Sequence, residues 1–182
     1  MRNKPTGTIN EVSIGPGRLL IGPAGATPTT DIGYVKNAAT LTIERNQVAI
    51  RQGSPQNAIK YFASQEDVMF EITSIQWNLD NIARVLGDGT TSVSAPDKIL
   101  EFGGRPNNTE VALQFEHIAA DGSTLTLNIW RANGDGVLAA AINPDDTHEF
   151  PLKFNAIDVA TDWAGASLTN GKTLFKLTQT PV

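Results

Sequence analysis

The chain contains no cysteine. Disulfides, thiolate metal sites and cysteine nucleophiles are excluded together by that one absence. It is compatible with a reducing compartment and does not require one. Histidine is nearly as scarce, with only His117 and His148 in 182 residues, so a zinc site would need other ligands beside them. His117 continues the apolar face of a strand and His148 follows Asp145 and Asp146 in a turn. The longest apolar run, from Val137 to Ile142, is far short of the roughly 20 residues that cross a bilayer, so no membrane partner is expected. The opening residues Met1-Arg2-Asn3-Lys4-Pro5-Thr6-Gly7 have no apolar stretch behind them, and no signal peptide is expected there.

Motifs of chemistry are missing too. No Gly-x-Ser-x-Gly elbow is present. Gly15-Pro16-Gly17 and Gly22-Pro23-Ala24-Gly25 lack the Gly-Lys-Ser/Thr ending of a phosphate loop, and their prolines remove the N–H donors such a loop uses. Asn133-Gly134-Asp135-Gly136 lacks the spaced oxygens and the glutamate of a calcium loop and reads as a hairpin turn. Carboxylates gather at Glu66, Asp67 and Glu71 and flank a helix at Asp80 and Asp88, but nothing singles out an acid–base pair; solvated surface charge is the default. The expectation is a protein that is not an enzyme, with no cofactor and no metal.

What is present is a chain of single-domain length with its apolar and aromatic residues spread throughout. Net charge is −5, and its distribution is uneven: residues 1–60 carry seven basic and three acidic side chains (+4), residues 61–182 seven and sixteen (−9). Either the split is chance, or the two regions meet across subunits, where opposite charge steers association. The acidic excess argues against strong nucleic-acid binding, which needs clustered Lys and Arg.

The pattern is mainly β. A loop-rich arm, residues 1–17, leads to a short strand at 18–21. In 40–51, Leu41 and Ile43 share one parity while Val48 and Ile50 share the other. Side chains alternate faces along a strand, so the switch near Arg45-Asn46-Gln47 marks a bulge, a strong twist or a strand that changes surroundings. Turn residues fill 52–57, then Val68, Phe70 and Ile72 alternate with polar partners. The whole reads as a long hairpin whose outer part, about residues 46–62, projects. Its apolar and basic residues Val48, Ile50, Arg51, Ile59, Tyr61 and Phe62 are the expected subunit interface. Ile75, Leu79, Ile82 and Leu86 fall on one helical face, with Ser74 or Asn78 as cap and Gly87 at the C-terminal end. Strands follow: 111–115 and 125–129 around Asp121-Gly122, then 137–142, then 149–156 with Phe150, Leu152 and Phe154 on one face, and 174–178 last. Pro151 cannot donate to a ladder, which places it at an edge. Short antiparallel strands at this spacing predict a β-sandwich or barrel with one flanking α-helix.

This order resembles a family. Asp31-Ile32-Gly33-Tyr34-Val35-Lys36 with Ala39-Thr40-Leu41-Thr42-Ile43-Glu44 is similar to the entry to the first main strand of phage tail tube proteins, the major tail proteins of long-tailed bacteriophages. The run from Val68 through Trp77 to Gly87 resembles their strand-then-helix element. Asn128-Ile129-Trp130-Arg131-Ala132, Phe150-Pro151-Leu152-Lys153-Phe154-Asn155-Ala156 and Leu174-Phe175-Lys176-Leu177 resemble their late strands. The resemblance covers roughly residues 15–180 and rests on order and pattern, with no single diagnostic motif. It implies a virion protein, assembled in the host cytoplasm, whose hexameric rings stack into a hollow tube. DNA passes through without specific binding, and the partners are other copies, a tape-measure protein and tail initiator and terminator proteins. Related tail completion, baseplate-hub and secretion-system tube proteins fit the same pattern. A carbohydrate-binding β-sandwich is the alternative from another class, with Trp130, opposite the apolar face of its strand, as its stacking platform.

Overall fold

The structure is a computed structural model that describes residues 17–76, 78–87, 89–104, 108–119, 122–137, 148–169 and 171–181. Its elements in chain order are β1 (Arg18–Pro23), β2 (Thr30–Asp31), β3 (Val35–Gln52), β4 (Asn57–Ser74), α1 (Leu79–Leu86), β5 (Thr90–Ser94), β6 (Asp97–Glu101), β7 (Glu110–Ile118), β8 (Thr124–Gly134), β9 (Phe150–Ala156) and β10 (Phe175–Thr180). The mainly-β, antiparallel architecture with one helix is the fold class read from the sequence.

Strand order in the main sheet is β2-β1-β7-β8-β9-β4-β3, with β10 also on β8. β8 joins two layers. β7 pairs along one of its edges, while the other is shared by β10, beside residues 124–129, and β9, beside Ala132, Asn133 and Gly134. Leu19, Ile21, Leu113, Leu127 and Ile129 from one layer and Phe70, Ile72, Leu152 and Phe154 from the other form a single buried core. The Phe70 and Phe115 rings meet across it at 5.6 Å. Along β4 and β9 these residues alternate with less buried ones, so each of those strands buries one face, whereas β1 buries Leu19, Leu20 and Ile21 in succession and β7 buries Val111, Ala112 and Leu113. Burying a side chain of this size stabilises by about 1.5–3 kcal/mol, which fixes register, because a one-residue slip would expose the whole set.

Some elements follow the expectations and others differ from them. Asn78, not Ser74, caps the helix: its side-chain oxygen accepts from the Asp80 N–H at 3.0 Å. Ser74 ends β4 and is buried, its hydroxyl near the Tyr34 and Gln76 carbonyls. Gly87 closes α1 in the left-handed conformation (φ 72°), the region glycine enters without strain. The buried helix face is Asn81, Ile82, Ala83 and Val85, rotated from the expected Ile75-Leu79-Ile82-Leu86 stripe, and Ile75 precedes the helix. A two-turn helix has little stability of its own, so tertiary contacts set its face. The Asn81 amide donates to the Ile32 carbonyl at 2.9 Å and orients it.

β8 runs through Gly134, so the turn expected at Asn133 begins at Asp135. Of the strand expected at 137–142 only Val137 is described, exposed and outside any strand; the rest lies outside the described residues, as do residues 1–16 of the arm. Pro151 pairs with Thr73 of β4, and β8 meets β9 only at residues 154–156, so among the described residues the stretch carrying Pro151 is a local edge. The sequence reading missed β5 and β6, a separate two-stranded sheet packed beside α1. There the Lys98 ammonium meets the Asp80 carboxylate at 2.6 Å. Hydrogen bonds from Lys98 and Thr91 hold the Asp80 carboxyl below the usual carboxylate range.

Candidate functional site

The β3–β4 hairpin consists of two 18-residue strands. β9 reaches only as far as Met69, so beyond that point the pair continues as a two-stranded ribbon among the described residues. Its register breaks between Asn46 and Gln47, which face Gln65 and Ala63. Ser64 is the extra residue, and its hydroxyl donates to the Asn46 carbonyl at 3.2 Å. A second break, between Ile50 and Arg51, leaves Ile59 without a partner residue. β-Bulges of this kind bend a ribbon and re-aim its side chains.

β3 carries no extra residue there, so the parity switch in the sequence puts its two apolar pairs on opposite faces of the ribbon, and the bulge at Ser64 turns Phe62 to the side of Val48. Ile43 opposite Val68 and Leu41 opposite Phe70 belong to the face that continues into the core. Val48 opposite Phe62 and Ile50 opposite Lys60 occupy the other face of the ribbon. All six residues expected at an interface are exposed: Val48 at 58%, Ile50 at 47%, Ile59 at 61%, Tyr61 at 59% and Phe62 at 46%, with Arg51 beside them. The structure therefore brings Val48, Ile50 and Phe62 to one face and Tyr61 to the opposite one, with Ile59 at the second bulge. The Lys60 ammonium lies 4.7 Å above the Phe62 ring, a cation–π contact that holds both.

Internal pairing accounts for part of the charge split. Lys36 bonds Glu149 at 2.6 Å and Arg45 bonds Glu66 at 2.5 Å, each joining the basic part of the chain to the acidic part, while Arg18 bonds Asp31 at 2.7 Å within the basic part. Arg51 and Lys60, near the hairpin tip, have no carboxylate partner among the described residues.

Two hollows accompany the hairpin and the sheet. One, about 300 Å³, lies where the hairpin leaves the body, floored by Ile43, Val68 and Phe175 and flanked by the Arg45–Glu66 pair. The other, about 400 Å³, is lined by Glu110, Arg131, Asp158, Trp130 and Trp163 among others. The second corrects the expected role of Trp130 as a stacking platform. Trp130 is only 6% exposed, with Trp163 edge-on over it at 5.0 Å. Its indole N–H donates to the Lys172 carbonyl, while that of Trp163 donates to the Trp130 carbonyl, each at 3.1 Å. A buried indole with a satisfied donor packs a loop onto the sheet; it offers no face to a sugar ring. Trp77 lies outside the described residues. Among the described residues no group of three or more His, Asp or Glu side chains is placed to hold a metal ion, and His117 is buried in β7.

No protein-family model and no curated protein matches this chain.

Proposed function

We propose that the chain is a structural subunit of a bacteriophage tail tube, forming hexameric rings that stack into a hollow conduit for DNA during ejection. The observation that carries this reading is the hairpin: a ribbon extending past the third strand, with apolar side chains exposed on both faces. A lone chain gains nothing by exposing them, and contiguous apolar surface of this kind marks a contact with another protein. Open strand edges support the same reading. Among the described residues β3 pairs only with β4, and β10 only with β8. Unpaired edges accept strands of another chain.

The outward face of β9-β4-β3 is polar and acidic. Glu44 sits directly opposite Asp67, and Glu71 is held by Lys153 at 3.3 Å. In a ring, this face is the wall that suits a DNA conduit, since carboxylates repel phosphate and leave the polymer mobile. In this reading the chain performs no chemistry. Its partners are its own copies, a tape-measure protein and the tail initiator and terminator proteins, and its place is the virion.

Negative-stain electron microscopy of the purified protein tests the proposal. Rings or tubes with a central hole are expected. Monomers alone, at high concentration and with tail assembly initiators added, would refute it.

A further inference from the structure

We infer that the hairpin tip of one copy docks on the outward face of the β5–β6 sheet of the next copy. The inference deepens the tube-subunit reading by naming the acceptor surface, and it is testable apart from that reading.

The donor face carries Val48, Ile50 and Phe62 with Lys60 over the Phe62 ring. Residues 46–64 include Arg51 and Lys60 and no carboxylate. The acceptor face has the opposite charge. In the β5–β6 register Ser92 faces Ile99, Ser94 faces Asp97 and Thr90 faces Glu101, so Ile99 sits between two acids on one side of the sheet. Ile99 is 41% exposed. The other side is the one engaged with the body, through Lys98 on Asp80 and the half-buried Leu100 beside Gly89. Asp97 and Glu101 have no ion pair among the described residues. An apolar face carrying the Lys60 cation, with Arg51 nearby on the ribbon's opposite face, thus matches an apolar centre flanked by carboxylates, and both are open to solvent in the single chain.

Charge also selects this pairing over its rivals. Tip against tip through this face would bring the Lys60 ammoniums of two copies together. Two β5–β6 faces would bring four carboxylates together. The groove beside Phe175 has charges that already neutralise each other, Arg45 and Glu66, and nothing to draw the cations. Like charges across a contact are costly, so electrostatics favour the unlike pair. A contact between different surfaces of identical chains is heterologous. It closes into a ring when the rotation between copies closes and extends as a filament when it does not.

The chain's lack of cysteine makes the test clean. Ile50→Cys and Ile99→Cys variants of different mass are mixed under mild oxidation and resolved without reductant. The disulfide joining the two variants is expected to exceed both homodimers. Lys60→Glu on the first variant should abolish it, and Glu101→Lys on the second should restore it. Each substitution is at an exposed position, and unchanged melting temperatures verify that the variants fold. Dominant homodimers, no intermolecular disulfide, or no rescue by the charge swap overturns the docking. Wild-type tubes without the mixed disulfide would sink the docking and leave the tube reading standing. The mixed disulfide without rings or tubes would do the reverse.

Discussion

Excising residues 47–64 and joining Asn46 to Gln65 through an Asn-Gly turn separates assembly from folding. The last retained pair, Asn46 opposite Gln65, is in register, and Asn-Gly suits a two-residue hairpin turn. No residue of 47–64 belongs to the buried core, and only Ala49 and Ala58 are half-buried. The core contacts at the base, Ile43 with Val68 and Leu41 with Phe70, are retained. What is lost is a set of exposed cross-strand pairs, each contributing about 0.2–1 kcal/mol. What is recovered is the backbone entropy of ordering the segment. A two-stranded ribbon is marginally stable at best, so the pairs and backbone hydrogen bonds lost are nearly offset by the ordering that is no longer needed. Net stability should change by about 1 kcal/mol or less, which moves the melting temperature by about 2–4 °C in a domain of this size. Circular dichroism measures the melting, and sedimentation velocity with microscopy measures assembly. The expected variant melts like the parent and stays monomeric. A fall of more than about 10 °C, equivalent to roughly 3 kcal/mol, would show that the ribbon is part of the folding unit. Normal rings or tubes from the variant would refute its role in assembly.

Two further outcomes test the body of the fold. A Cβ added at Gly134 would lie 1.9 Å from the Val85 carbonyl oxygen, a backbone atom at the end of α1, so Gly134→Ala must displace helix or strand. Overpacking of this kind costs about 1–3 kcal/mol, and thermal melts should drop accordingly; a variant as stable as the parent would show that α1 is not packed against β8 there. The second concerns pH. The Asp80 carboxyl, held low by Lys98 and Thr91, contributes stability that is present above its unfolded value near 3.9 and is lost as pH falls through the lower folded value. The pair is about two-fifths exposed, so its contribution is at most about 1 kcal/mol. Asp80→Asn should be slightly less stable than the parent at neutral pH, with the gap closing below about pH 4; a gap that is unchanged by acid would exclude this pair as its cause.

The parts legible in the sequence are those where one face of a strand is buried. Val68, Phe70 and Ile72, and Phe150, Leu152 and Phe154, alternate because β4 and β9, paired in one layer, bury the same face, and the structure buries all six. The parity switch in 40–51 was legible as an irregularity, but its cause was not. β3 keeps its alternation, and the extra residue, Ser64, is on β4. Register belongs to a pair of strands, so one strand's pattern reveals a break without saying which partner bulges. β5 and β6 escaped notice because Thr-Thr-Ser-Val-Ser and Asp-Lys-Ile-Leu-Glu are short and mostly exposed. The burial of Trp130 depends on the Trp163 loop and the Lys172 carbonyl, more than thirty residues away in each case, which no local pattern reports. The exposure of Val48, Ile50, Ile59, Tyr61 and Phe62 stood out in the sequence because apolar side chains lie where a turn-flanking ribbon would be polar.

The charge asymmetry now has a physical reading that composition could not supply. Lys36 and Arg45, from the basic part of the chain, reach Glu149 and Glu66, from the acidic part, inside one molecule. Exposed pairs such as these contribute about 0–1 kcal/mol each, so they do little for stability. Their larger effect is subtraction. They neutralise the base of the hairpin and leave Arg51 and Lys60 near its tip, while Asp97 and Glu101 stay unneutralised on β5–β6 and Glu44 and Asp67 on the outward sheet face. Glu44 directly opposite Asp67 is unfavourable in an isolated sheet, where like charges across a strand pair repel. Folding alone would favour a cation at either position. In the proposed tube, a surface that lets an anionic polymer slide past would keep both acids, and the excess cations would sit where the chain meets its neighbour, away from the polymer's path.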